Sequence, residues 1–305
     1  MGAYGYQFQP SPIDYQCDIN DGVEIYQPIA PIFPSNPDPS FKKIMEIIPK
    51  IDSKSKRFLT LAKKALLNPH LWNLLIVGIR TGLSHGTMDI IYRIGVDENV
   101  GKILDCLELA RGSLERRYLI VDQMRVLLDS SFFSSVVSYG GGSCVIPIEA
   151  IYQSNDFMGY LYNFDHSEKA LNKSRKTLHK FEEISKISKI KLIPILASVQ
   201  TESVFPGHLL VESKLLECTG LWEYLSETER HDFLSEIKEK MVSGDRLVLT
   251  ALIKNPDQEF FKAVGFDNLY PQDLSNLIET AKQFLTIERI VINSNKTYAT
   301  LILST

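Results

Sequence analysis

Val136-Val-Ser-Tyr-Gly-Gly-Gly-Ser-Cys-Val-Ile-Pro147 runs an apolar strand into three glycines and out into a helix. Glycine tolerates φ above zero and lets the backbone approach a ligand closely, and the helix start that follows offers free N–H groups to a carboxylate or phosphate. A tight strand-to-helix turn has the same composition, so the next segment matters. Met158-Gly-Tyr-Leu-Tyr-Asn-Phe-Asp165-His166 places an acid at the end of a second strand, about 20 residues beyond the glycines. An acid at that point can accept hydrogen bonds from both hydroxyls of a ribose. Asp165 is also a favoured N-cap for the helix that opens near Ser167.

From residue 133 onward the hydrophobic pattern alternates between the strand and the helix period, which predicts a mainly parallel sheet with helices on both faces. Strands are expected at 133–139, 157–164, 190–197, 214–219, 245–253, 285–292 and 297–304. Helices are expected at 144–153, 167–184, near 203–212, 226–242, 257–264 and 271–282. Asn293-Ser-Asn-Lys296 is turn-forming, so the last two of the seven strands should form an antiparallel hairpin. The fold class is therefore α/β, Rossmann-like, with an N-terminal helical accessory region.

With these elements in order, Phe132 to Thr305 resembles the class I S-adenosylmethionine-dependent methyltransferases. It is most similar to bacterial members with a Gly-Leu-[aromatic]-[acid]-Tyr-Leu motif after the fourth strand, here Gly220-Leu-Trp-Glu-Tyr-Leu225. Val242-Ser-Gly-Asp-Arg-Leu-Val-Leu-Thr250 is similar to that family's turn into strand five. The resemblance implies S-adenosylmethionine as cofactor, bound by Tyr139, Gly140, Gly141, Gly142, Ser143, Asp165, His166, Ala197, Ser198, Thr219 and Gly220. Arg117, Tyr118, Glu223 and Tyr224 become the candidate substrate residues, and no metal is implied. Three positions depart from the family pattern: Ser138 replaces an acid, Cys144 a glycine, and Ala197-Ser198 an acid or amide.

Two other readings accompany methyl transfer to an oxygen or nitrogen of a small molecule. A helical region attached before strand one, together with Gly142-Ser-Cys-Val-Ile-Pro147, resembles nicotianamine synthases, which transfer the aminocarboxypropyl arm of the same cofactor. The departures above would also suit a cofactor-binding or interaction module without turnover.

The remaining composition narrows the class. The chain has 305 residues, 44% of them hydrophobic, enough for one large α/β domain and an accessory region. Its net charge of -4 gives no electrostatic prompt for a nucleic-acid partner. Cys17, Cys106, Cys144 and Cys218 form no C-x-x-C pair, and neither zinc nor a redox dithiol is signalled. Without a secretory signal pattern or an apolar run of membrane-spanning length, the expectation is a cytoplasmic protein. The oligomeric state stays open.

Residues 1–40 hold seven of the chain's fourteen prolines and no Lys or Arg, and read as an extended Pro/Tyr-rich arm. Residues 41–130 show apolar three- and four-residue spacings and read as a helical accessory, or lid, region, ending in a helix from Asn99 to about Leu128. Residues 131–305 form the expected cofactor domain.

Overall fold

The structure, a computed structural model, describes residues 13–20, 22–30, 88–89, 91–92, 104, 107–197, 212–254 and 269–305. Nearly all of the helical stretch expected between 41 and 95, the helices expected near 203–212 and at 257–264, and Ser198 lie outside these residues. The chain divides into two compact units, and the one analysed below gathers Phe8–Ala30, Arg116–Lys254 and Tyr270–Thr305.

Its elements are β1 (Tyr15–Asn20), β2 (Val23–Pro28), α1 (Glu108–Ser130, entering from the other unit), β3 (Ser135–Tyr139), α2 (Val145–Gln153), β4 (Gly159–Asp165), α3 (Glu168–Ser185), β5 (Ile190–Leu196), β6 (Lys214–Cys218), a 3-10 turn (Trp222–Tyr224), α4 (Glu227–Lys240), β7 (Arg246–Leu252), α5 (Leu274–Lys282), β8 (Thr286–Ile292) and β9 (Tyr298–Ser304). The sheet order is β1-β2-β8-β9-β7-β6-β3-β4-β5. Strands β7, β6, β3, β4 and β5 run parallel, while β9 is antiparallel to both β7 and β8. The closing hairpin is thus present. Its turn is held by Asn293, whose Oδ1 accepts from the N–H of Thr297 at 2.9 Å and of Tyr298 at 2.8 Å.

Among the described residues the sheet has nine strands and not the seven expected, because the N-terminal arm supplies two more. β1 and β2 form an antiparallel pair, and β2 adds in parallel to β8 through Ile25 opposite Ile290 and Tyr26 opposite Val291. Proline density hides this hairpin in the sequence, yet no proline falls between Pro12 and Pro28, so the ladder keeps its N–H donors. Gly22, at φ +75°, stands just before β2. β2 also covers the edge that β8 would otherwise offer for aggregation. The hairpin docks on α1: Tyr15 donates its hydroxyl to Asp122 Oδ2 at 3.0 Å, and the Arg289 guanidinium lies 4.7 Å from the centroid of the Tyr26 ring.

Every residue of β3 and β6 is buried, as expected of central parallel strands covered on both faces. On one face Val137, Tyr139, Leu216, Leu249 and Leu301 pack with Phe233, Leu234 and Ile237 of α4, and with Trp222, which is fully buried. A capping box starts α4: Ser226 accepts from the Glu229 N–H, and Glu229 accepts from the Ser226 N–H at 2.7 Å. Among the described residues no helix is long and apolar enough to cross a membrane.

One buried ion pair fixes the far end of the central strands. Lys214 opens β6 and Asp245 closes the turn before β7, and both side chains have no exposed surface. Asp245 accepts from the ammonium of Lys214, from the Lys214 N–H at 2.8 Å and from the Val242 N–H at 2.9 Å. The carboxylate therefore serves as a turn cap and as the counter-charge of a buried lysine.

Candidate functional site

The site begins with a polar row inside the sheet. Ser138 on β3 lies in register with Asn163 on β4 and with Glu217 on β6. Register partners in a pleated sheet point to the same face, so the three side chains stand side by side. All three are buried. The Ser138 hydroxyl donates to Glu217 Oε2 at 2.5 Å, and Asn163 Nδ2 donates to the carbonyl of Gly142 at 3.2 Å. Asn163 Oδ1 has no hydrogen-bond partner among the described residues.

The glycine loop lies directly over this row. Gly140 and Gly142 have φ of +61° and +55°, the left-handed region in which side chains are strained. Gly141 is required for a different reason. A Cβ there would meet Ser138 Oγ at 2.2 Å, Asn163 Oδ1 at 2.8 Å and Cys144 Sγ at 3.0 Å. Cys144, where a glycine was expected from the family pattern, itself adopts φ +52° before the first turn of α2. Its thiol is fully buried, and burial pushes its pKa well up, so it acts as a small apolar plug and not as a nucleophile.

Asp165 ends β4 and closes the loop from the other side. Its Oδ2 accepts from the Gly142 N–H at 2.9 Å and its Oδ1 from the Ser167 N–H at 2.7 Å. The N-cap of α3 is Ser167, which accepts from the Ala170 N–H, so capping is not the work of Asp165. A carboxylate offers about four lone-pair positions. One is used by the Gly142 N–H and one by the Ser167 N–H, which leaves acceptor capacity at the carboxyl edge of the sheet.

The other candidate residues fall into distinct places. Ala197 is half-buried and donates its N–H to the Asp165 carbonyl at 3.1 Å, bringing the end of β5 beside that acid. Ser143 is buried in the loop, and Thr219 and Gly220 are partly exposed just beyond β6. The Tyr139 ring is core: it stacks on Phe164 at 5.4 Å and meets Phe233 edge-on. His166 is 84% exposed, its Nδ1 3.7 Å from Asp165 Oδ1.

Arg117 does not face open solvent. It is buried in an ion pair with Glu149 of α2 at 2.7 Å, and its guanidinium also lies 5.4 Å from the ring centre of its neighbour Tyr118. Burial raises the Glu149 pKa against the opposing pull of Arg117. Glu223 is buried too, paired at 3.0 Å with Arg116, while Tyr224 is half-buried in the same 3-10 turn. Two successive arginines of α1 thus hold one acid on α2 and one after β6.

Sequence reasoning passed over Arg116, Glu149, Asn163 and Glu217. A signal for the last two existed, since a polar residue inside an otherwise apolar central strand must find a partner or a role. Glu217 has a measurable consequence. Burial raises its carboxyl pKa, only partly offset by the hydrogen bond from Ser138. Below the unfolded pKa both states hold the proton and there is no cost. As pH rises past it the unfolded state ionises first, so folded stability falls. Glu217→Gln should therefore raise the melting temperature relative to wild type at pH 7–8 (roughly the range where carboxylates are ionised) and bring a smaller gain near pH 4. An equal shift at both pH values would contradict the buried-carboxyl account.

No protein-family model and no curated protein matches the chain. Solved structures do. It is similar to a possible exported protein from Bordetella parapertussis (TM-score 0.60, 13% identity, 87% of this chain and 94% of that one). A candidate methyltransferase from Thermobifida fusca YX aligns with TM-score 0.54 and 14% identity over 75% of this chain and 97% of its own. Magnesium protoporphyrin IX methyltransferase (ChlM) from Synechocystis PCC 6803, solved with bound SAM, aligns with TM-score 0.50 and 13% identity over 74% and 91%. At such identities the common property is the fold: the chain shares the α/β fold of these structures.

Proposed function

We propose that the chain is an S-adenosylmethionine-dependent methyltransferase acting on a small molecule. One observation carries the reading. The glycine loop and the acid at the end of the next strand, separate in sequence, are joined by the Gly142 N–H to Asp165 Oδ2 bond at the carboxyl edge of β3 and β4, where open α/β sheets bind their ligands. The likeness to the fold of ChlM, which binds SAM, supports the choice of cofactor.

The residues fit that group. Asp165 keeps lone pairs for a ribose diol, the Gly140–Ser143 loop brings its backbone to the methionine end, and Ala197 flanks the adenine end; Ser198, outside the described residues, is proposed with it from the sequence alone. Tyr139, His166, Thr219 and Gly220 border the same edge. When bound, S-adenosylmethionine supplies an electrophilic sulfonium methyl group. The protein's part is alignment of acceptor and methyl group, together with exclusion of water. Arg117, Tyr118, Glu223 and Tyr224 are proposed for the acceptor side, Arg117 as a positioning residue acting through Glu149. A pI near 5.9, with no prompt toward polyanions, favours a small acceptor.

The test is calorimetry with S-adenosylhomocysteine. Charge-assisted hydrogen bonds are worth roughly 1.5–3 kcal/mol, so Asp165→Ala should weaken binding about 10- to 100-fold in a protein that still melts cooperatively. Unchanged affinity in that variant would overturn the assignment. Turnover should release S-adenosylhomocysteine and not methylthioadenosine.

A further inference from the structure

Arg116 and Glu223 form a pair buried more deeply than a surface salt bridge, with side chains 1% and 5% exposed. Glu223 Oε1 accepts from Arg116 Nη1 at 3.0 Å, while Glu223 Oε2, also buried, has no hydrogen-bond partner among the described residues. A buried carboxylate oxygen left in this state is costly unless something supplies a donor. The guanidinium of Arg116 also lies 4.3 Å from the centroid of the Tyr298 ring, which fixes it from the side.

The pair stands at the edge where a ligand would lie. Glu223 follows β6 by a few residues, and Tyr298 is in register with Leu252 at the carboxyl end of β7. Gly220, at φ +84°, stands beside both groups: a Cβ there would find Arg116 Nη2 at 3.9 Å and Glu223 Oε1 at 4.0 Å, and nothing nearer. Gly140 of the loop packs against Leu221, the next residue. Along the sheet, the order is Ala197 after β5, Asp165 after β4, the glycine loop after β3, then Gly220 and Glu223 after β6.

We propose that Glu223 is the acceptor-binding carboxylate of this site, and that the methyl acceptor presents an N–H or O–H to its Oε2. The inference rests on the methyltransferase reading above and narrows the substrate to amines, alcohols or phenols. A carboxylate acceptor would bring a second negative charge against Glu223 and is disfavoured. On transfer, the acceptor's lone pair bonds the methyl carbon, the carbon–sulfur electron pair stays with sulfur, and the proton shed by the acceptor passes to Glu223 Oε2.

Sinefungin tests this without knowledge of the acceptor, because it carries an amino group where S-adenosylmethionine carries the transferable methyl. Calorimetry should find sinefungin bound about 10-fold or more tightly than S-adenosylhomocysteine by the wild-type chain. Glu223→Gln should abolish that preference and leave S-adenosylhomocysteine affinity within about 3-fold, a change on the scale of lost neutral contacts. The Arg116→Met/Glu223→Gln double variant removes both charges together, avoids a lone buried cation and should read the same way. Equal binding of the two ligands by wild type, or a preference that survives both substitutions, would overturn the proposal while the cofactor reading stands. Binding of neither ligand would overturn both.

Discussion

Asp245→Ala is expected to lose about 3–5 kcal/mol of unfolding free energy, the cost of removing one partner from a buried charge pair. Lys214 and Asp245 have no exposed surface, so water cannot replace the carboxylate. The N–H groups of Lys214 and Val242 lose their acceptor in the same step. At ~2–4 °C per kcal/mol for a domain of this size, the melting temperature should fall on the order of 6–20 °C. Urea unfolding provides the check, with the midpoint lowered and the slope unchanged. Lys214→Met/Asp245→Asn should recover most of the loss, since removing both charges together leaves no stranded charge. A midpoint unmoved in Asp245→Ala would mean that the pair does not hold the turn.

The same turn shows how far the sequence could be read. Val242-Ser-Gly-Asp-Arg marked the entry to a strand, and β7 does begin at Arg246, but the partner of Asp245 lies 31 residues earlier on another strand. Periodicity reports which residues are buried and not which strands are neighbours, so ion pairs across the sheet stay hidden. The seven strands between residues 133 and 305 were readable because each is a short apolar run bounded by turn residues. β1 and β2 were not, because Gln16, Asp18, Glu24 and Gln27 give the hairpin a polar sequence and it relies on docking to β8 and α1.

Within the site, glycines and a strand-terminal acid were legible as types at a spacing, and the structure brings Gly142 and Asp165 into contact. Their support was not. Ser138 reads as a missing acid in one dimension, yet in three dimensions Glu217 of the adjacent strand reaches its hydroxyl. A carboxyl group is thus present beside the loop, delivered across the sheet. Likewise Arg116 and Arg117 are adjacent in sequence, but successive positions on a helix point about 100° apart. They end on Glu223 and Glu149 respectively.

Gly141→Ala is expected to lower nucleoside affinity at least about 100-fold, because misplacing a binding loop by about 1 Å is enough for an effect of that size. Gly141 is not among the residues with positive φ, so conformational freedom is not its purpose. Space is. The new methyl group would come within 2.2 Å of Ser138 Oγ, well inside any contact real Cβ atoms make. Ser138 cannot swing away without giving up Glu217, and Asn163 and Cys144 block the flanks at 2.8 and 3.0 Å. The loop must lift from the polar row, taking the Gly142 N–H from Asp165 and disturbing both halves of the site together. Overpacking of this kind costs roughly 1–3 kcal/mol, so the variant should still fold. Its binding should be compared with that of Ser138→Ala/Gly141→Ala, in which the nearest obstacle is gone and part of the affinity returns. Wild-type affinity for S-adenosylhomocysteine in Gly141→Ala would show that the loop is free to move away from the row, and that the row does not set its position.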